Sequence, residues 1–213
     1  MEVMRDSNAS VPNHGVYKPS FCMVVQGAKE VWLGEDRFRY TPTDYLVASV
    51  HLPVTALVTE ATSDVPYLGF KLEFTENQIL EVLRDSETRV GPRENAMRGM
   101  FVSRIDTPLT NAVIRLARLL DAPKDIQVLA PLHTKEILYR ILQGEYGITL
   151  GQIAIAGSSA HQINDVIEHI TNNYVRSFRI EELAEIANMS VSSLHRHFKE
   201  VTAMSQFSTK KNN

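Results

Sequence analysis

Towards the C-terminal end of the chain, Ser192, Ser193, His195, Arg196 and Lys199 fall within a span of eight residues. All five side chains can donate hydrogen bonds, and two are cations. On the outward faces of one helix, such a set suits phosphate oxygens and base edges in a DNA major groove. Val191, Leu194 and Phe198 lie between them at i, i+3 and i+7 and therefore share the opposite, apolar face. From Val191 onward Arg196, Lys199, Lys210 and Lys211 stand against Glu200 alone, a local surplus of +3 in a chain of net charge −3. The overall charge argues against a generally basic protein that coats nucleic acid, and the local surplus fits a local reader. A helical hairpin that merely packs would show the same apolar spacing.

Other reactive side chains are sparse. Cys22 is the single cysteine of 213 residues, which excludes an intramolecular disulfide and fits a reducing compartment. It sits in the apolar run Phe21–Val25, where a buried thiol is expected rather than a nucleophile. No signal peptide and no apolar run of membrane-spanning length is apparent, so the chain is expected in the cytoplasm, with no membrane partner.

The elements that would position the outward set begin upstream. Ile180, Leu183, Ala184, Ile186 and Ala187 give a first short helix, the segment Ala187 to Met189 breaks it, and Ser190 is an N-cap for a second of about ten residues. Two helices crossing at a tight turn, the second outwardly basic, is a DNA-inserting geometry. Before them, Ile163, Val166, Ile167, Ile170 and Tyr174 repeat at helical spacing. Gly157 to Ala160 reads as a hinge.

Residues 1–20 are polar, with Pro12, Gly15 and Pro19, and read as a flexible arm or loop. From Phe21 to about Phe74, six short β-branched and aromatic runs alternate with turn signals at Gly27, Gly34 to Asp36, Pro42, Pro53 and Asp64 to Pro66, which predicts an antiparallel barrel or sandwich. Val31 and Leu33 alternate with Glu30 and Trp32. Thr75 with Gln78 is a capping-box pattern before Ile79, Leu80, Val82 and Leu83. A polar stretch through Gly91, Pro92 and Gly99 reads as loops with a short helix. Thr107 with Pro108 opens a helix striped by Leu109, Val113, Leu116, Ala117 and Leu120. Pro131 opens another, carrying Leu132, Ile137, Leu138, Ile141 and Leu142 and ended by Gly144.

Several of these stretches carry a resemblance. The pair Leu183-Ala184, Met189-Ser190 at the turn, the series Ser192, Leu194, Arg196, Phe198, Lys199, and Thr202 with Met204-Ser205 resemble the first helix-turn-helix of the AraC/XylS family of bacterial transcription regulators. Val24 to Glu35, Asp44 to Val54, Pro66 to Leu68 and Leu129 to Leu150 resemble the N-terminal domain of one subgroup, so the likeness runs from about Pro19 to Ser205. It implies an α+β chain: an N-terminal cupin-like antiparallel β-barrel with following helices, then an all-α partial helix-turn-helix domain. The expected division is 1–156 for effector sensing and dimerisation, 161–205 for the first helix-turn-helix, and 206–213 as an aberrant tail.

The resemblance also implies partners: double-stranded operator DNA, a small-molecule effector received in the barrel, and a second copy of the chain through the helices after the barrel. Those helices could instead simply cover the barrel. By residue-wise carry-over, Ser192, His195 and Arg196 would meet base edges, and Ser193 and Lys199 phosphates. A sensing pocket could be lined by Trp32, Tyr40, Tyr45, His51 and Tyr67, each of which could equally be barrel filling. Cupin-type enzymes ligate metal with several clustered histidines. This barrel region offers His51 alone, so neither metal, cofactor nor catalysis is expected. Arg179 stands where the family has a capping residue.

Family members continue past Met-Ser into a linking helix and a second helix-turn-helix, a pattern that Gln206 to Asn213 does not follow. Gln-Phe-Ser-Thr-Lys can be encoded so that restoring one base gives Pro-Ile-Gln-Tyr-Lys, the family's continuation. The expectation is therefore a regulator lacking half of its DNA reader, with binding correspondingly weakened. The alternative is a small-molecule-binding or dimerisation module without DNA binding.

Overall fold

The computed structural model describes residues 1–86, 97–173 and 176–204. The six apolar runs each form a strand: β3 (Ser20–Gln26), β4 (Ala28–Leu33), β5 (Asp36–Tyr40), β6 (Asp44–Ala48), β7 (Leu52–Glu60) and β8 (Tyr67–Glu73). The N-terminal residues are not a loose arm. β1 (Glu2–Asp6) and β2 (Asn13–Tyr17) precede the six, and β9 (Met100–Arg104), a strand beyond the six expected, follows them just after Gly99. Two antiparallel sheets result, ordered β1-β8-β3-β6-β9 and β2-β7-β4-β5. β1, β2 and β9 are all edge strands, held by backbone pairing on one side, so they need no strong apolar alternation. Pro53, expected in a turn, is the second residue of β7. A proline is tolerated there because it lies at the strand's start.

Phe21, Leu46 and Leu72 from one sheet and Val31, Leu33 and Leu52 from the other join a single buried core. That core continues into the helices. α1 (Glu76–Asp85) starts with the expected capping box: Gln78 N donates to Thr75 Oγ1 at 3.4 Å, and Thr75 N donates to Gln78 Oε1 at 2.8 Å. α2 (Thr107–Arg118) is capped one residue earlier than expected, by Asp106, whose Oδ1 accepts from Leu109 N at 2.8 Å. A carboxylate at that place also meets the positive end of the helix. Leu120 lies beyond this helix and is exposed.

α3 (Ile126–Gln143) begins five residues before Pro131, which sits inside it. Proline in a helix removes one backbone hydrogen bond, and the burial of Ile137, Leu138, Ile141 and Leu142 holds the helix together regardless. Gly144 ends it as expected. A short α4 (Gly147–Gln152) leads to Gly157, and Ser158 caps α5 (Ser159–Asn172) by accepting from His161 N at 3.1 Å. Ser159 and Ala160 are thus helical, and only Gly157, at φ +82°, keeps the character of a hinge. Ile163, Val166 and Ile167 of α5 are buried. The stripe's last member, Tyr174, lies outside the described residues, as do Gly91, Pro92 and the tail from Ser205.

Candidate functional site

The inner face of β4 is set by period two: Val31 and Leu33 are fully buried, and Lys29 shares their side. Trp32, on the other side, is 45% exposed. Tyr40 of β5 pairs directly opposite Lys29, and Lys71 of β8 pairs opposite Cys22 of β3. On β8, Tyr67 folds back along its own strand over Gly69, where a Cβ would lie 2.4 Å from the Tyr67 hydroxyl. The strand can carry that ring position only because residue 69 is glycine.

These placements surround Lys29 with aromatic faces. Its Nζ lies 5.8 Å from the Tyr17 ring centre and 5.9 Å from that of Tyr67, while Lys71 Nζ lies 5.5 Å from Tyr17. Lys71 is neutralised by Glu73 at 3.0 Å. Among the described residues no carboxylate comes within ion-pair distance of Lys29. Burial pushes its ammonium below the usual lysine range, with Lys71 adding to this and Cys22, Asp6 and Glu2 opposing it. Burial also raises the phenols of Tyr17, Tyr40 and Tyr67, so all three stay neutral donors. The Tyr40 hydroxyl is near enough to act on the Tyr67 phenol, yet the buried Tyr67 hydroxyl has no partner at hydrogen-bonding geometry. Burial raises the Cys22 thiol as well, which keeps it protonated and unreactive. A desolvated cation beside an unpartnered phenol is complementary to an anionic head group with acceptor oxygens.

Of the five sequence-derived pocket residues, the structure brings Tyr40 and Tyr67 together and separates the others. Trp32 faces outward, its indole N–H donating to Glu30, which also pairs with Arg37. Tyr45 packs on Phe21, ring centres 5.5 Å apart, and approaches the Gly144 turn. His51 lies where the sheets meet α5, in a cleft of about 360 Å3 shared with Glu73, Glu76, Asn164 and Glu168. Tyr17, Lys29 and Lys71 escaped the sequence reading. Among the described residues, no group of three or more His, Cys, Asp or Glu side chains could hold a metal ion, and no helix is long and apolar enough to cross a membrane.

At the other end of the chain, α6 (Ile180–Ile186) and α7 (Val191–Thr202) form where expected. Arg179 occupies the N-cap of α6 without a side-chain bond. The turn is closed by Asn188 at φ +50°, with Asn188 N donating to Glu185 O at 3.0 Å and Met189 N to Ala184 O at 2.9 Å. That double bond pattern seals a helix end, and asparagine tolerates the left-handed position. Ser190 then caps α7, accepting from Ser193 N at 3.2 Å. Leu194, Phe198 and Val201 are buried, Ser193 is half-buried, and Ser192, His195, Arg196 and Lys199 are exposed.

His197, absent from the sequence reading, is buried beneath the exposed row. Its Nε2 lies 3.1 Å from Arg196 Nη2 and its Nδ1 2.9 Å from Glu200 Oε2. Guanidinium can only donate, so Nε2 accepts and the ring proton sits on Nδ1, donated to Glu200. The neutral ring thereby steadies the Arg196 side chain. The C-terminal end of α7 rests on the barrel: Arg98 Nη1 donates to the carbonyls of Lys199 at 2.9 Å and Glu200 at 2.7 Å, and Gly99 N donates to Val201 O at 2.9 Å.

A sequence profile described as the AraC-type transcriptional regulator N-terminus matches residues 1–149, well over half of the chain. The chain belongs to the AraC-type family of transcriptional regulators. Among solved structures, apo ToxT from Vibrio cholerae strain SCE256, a single-residue variant, is similar at TM-score 0.43 and 8% identity, over 96% of this chain and 95% of that one. Wild-type ToxT of that strain, bound to an unsaturated fatty acid, gives TM-score 0.39 and 10% identity over 95% and 91%. The AraC-like transcriptional activator CuxR gives TM-score 0.30 and 8% identity over 85% and 60%. No curated protein matches this AraC-type chain in sequence.

Proposed function

We propose that this AraC-type chain is an effector-responsive, DNA-binding transcription regulator of the cytoplasm, not an enzyme. Residues 1–156 serve as the sensing and dimerisation domain, and residues 161–205 as a helix-turn-helix that reads DNA. The observation that carries the sensing half is Lys29, a largely desolvated but only half-buried ammonium without a carboxylate in ion-pair contact among the described residues, held between the rings of Tyr17 and Tyr67. Such a cation is costly until an anion meets it, so the effector carries an anionic head, with Tyr40 and Tyr67 as neutral donors beside it. The reading half rests on the exposure of Ser192, His195 and Arg196 for base edges, and of Lys199, with the half-buried Ser193, for phosphates. Val128 and Leu132 on α3 stand one turn apart and are 68% and 58% exposed, an apolar stripe suited to a second copy of the chain.

Two measurements test this. Native mass spectrometry of the purified chain should find a retained anion, and Lys29→Met should lose it. Retention undiminished in that variant sinks the sensing assignment. Selection of bound duplexes from a randomised pool should enrich a sequence, and Arg196→Ala should weaken its binding by roughly 1–3 kcal/mol. A chain that enriches nothing is a ligand-binding or dimerisation module without DNA binding.

A further inference from the structure

Lys29 and Tyr40 occupy the two strands of one hairpin, β4–β5, and pair directly with each other at its open end. The closed end of the same hairpin, Gly34 to Asp36, touches the last turn of α7. Gly34 is at φ +59°, and a Cβ there would lie 2.7 Å from the carbonyl oxygen of Ala203, the residue that caps α7. Asp36 Oδ2 holds Arg98 Nε at 2.6 Å. The other end of that guanidinium donates to the carbonyls of Lys199 and Glu200. These carbonyls belong to the helix's negative end, where a cation is favoured and unmet acceptors are common. From Glu200 the line continues through His197 to Arg196. A hydrogen-bonded path thus runs from the hairpin turn to an exposed side chain of the recognition helix.

We infer that the β4–β5 hairpin, with Arg98 as its positioning residue, transmits occupancy of the barrel to the recognition helix. The inference rests on the reading of Lys29 as the effector contact and adds how that contact would be felt at α7. A paired β-hairpin is stiff along its strands, and the five steps from Lys29 to Gly34 span roughly 17 Å at about 3.3 Å each. An anion that draws Lys29 and Tyr40 together shifts the register or twist of the pair. The turn has no slack to absorb the shift, because Gly34 already lies against the Ala203 backbone. Asp36 then carries Arg98, and Arg98 carries the end of α7.

Hydrogen exchange of the full chain, read by mass spectrometry, tests the coupling with Lys29→Met, Arg98→Ala and the double variant. Arg98→Ala should speed exchange in Leu194–Thr202 by roughly 5- to 30-fold, the effect of one or two lost charge-assisted bonds, and leave β3 and β6 unchanged. Lys29→Met should alter exchange in α7 in the parent chain and change it less than about twofold once Arg98 is gone. Trp32, the chain's single tryptophan, lies on β4 two residues before Gly34, so Arg98→Ala should also move its emission. A helix cap with no coupling role would leave that emission unchanged.

Arg98→Lys, which cannot hold Asp36 and both carbonyls at once, should fall between the two. Should Arg98→Ala fail to fold, Asp36→Asn, which spares the carbonyl bonds, should give the same non-additivity with Lys29→Met. Equal effects of Lys29→Met in both backgrounds, or none on α7 in the parent, overturn the inference. The mass of the retained anion judges the Lys29 reading separately: loss of the anion with α7 unmoved refutes the coupling alone.

Discussion

The barrel interior and the outward face of α7 both carry cations, and the two regions treat them in opposite ways. On α7, Arg196 and Lys199 stand in water, so their charge costs the fold almost nothing and is free to meet a polyanion. In the barrel, Lys29 is half-buried with no carboxylate in ion-pair contact among the described residues, and aromatic faces with the more distant charges of Asp6 and Glu2 compensate it in part. An exposed cation advertises a large, highly charged partner at low affinity per contact. A hidden one selects a small partner that fits and completes its shell. One chain can therefore carry two kinds of recognition, divided by desolvation.

The sharpest way to break the comparison is to ask whether the two regions share one stability. Their buried residues form one continuous core, which predicts a single unfolding transition. Changing Leu194, fully buried in α7, or Phe21, fully buried in β3, to alanine should then shift the same urea transition, each costing about 2–5 kcal/mol of stability. If Leu194→Ala melts helix signal at low urea while near-ultraviolet signals of the barrel persist, the regions are independent and their comparison is one of two domains.

The next effect concerns the hidden cation alone. Lys29→Met keeps length and apolar bulk but removes the charge. It should weaken retention of an anion roughly 10- to 100-fold, the scale of a charge-assisted bond, and raise the stability of the ligand-free chain by about 1 kcal/mol. A variant that loses stability would mean the ammonium is already satisfied. The pH dependence has a definite sign. The ammonium is pushed down in the folded state, so the unfolded chain binds the extra proton first; ligand-free stability rises with pH between the folded and unfolded values. Anion binding restores the ammonium, so affinity should fall as pH climbs through the depressed value, while Cys22, Tyr17, Tyr40 and Tyr67, all pushed up, stay protonated at its lower edge. Affinity that increases with pH would contradict a role for Lys29.

The sequence made the interior strands legible and left the edges obscure, for one physical reason. β3 to β8 bury apolar faces and so announce their period, whereas β1 and β2 carry residues such as Glu2, Asn13 and His14 that only backbone pairing can order. Caps were readable because they are local: Thr75, Gly144 and Ser190 act within four residues. The start of α3 was misplaced because Pro131, a good first-turn residue, is equally survivable inside a helix whose other face is buried. Lys29 was overlooked since a lysine in a strand reads as a surface position. Its place in the register of Val31 and Leu33 was the available signal. His197 was hidden by its neighbours, as its value lies in contacts to Arg196 and Glu200 that helical spacing alone does not reveal.

The smallest predicted effect tests whether the C-terminal helices are less well finished than the rest. α5 and α7 each begin with a serine that caps its helix, whereas α6 begins with Arg179, whose side chain makes no capping bond. The first amides of α6 therefore lack an internal partner. Serine at position 179 would supply an acceptor without adding a third negative charge beside Glu181 and Glu182. Aspartate would cap as well but would repel those carboxylates. Arg179→Ser should stabilise the chain by about 1 kcal/mol, seen as a higher urea midpoint with unchanged slope. Because Leu194 and Ala184 belong to the barrel's own core cluster, the gain should appear in the barrel's signals too. A gain confined to helix signals would show that the exposed and hidden cations sit on separately stable units, and an absence of gain would show that water already caps α6 as well as serine can.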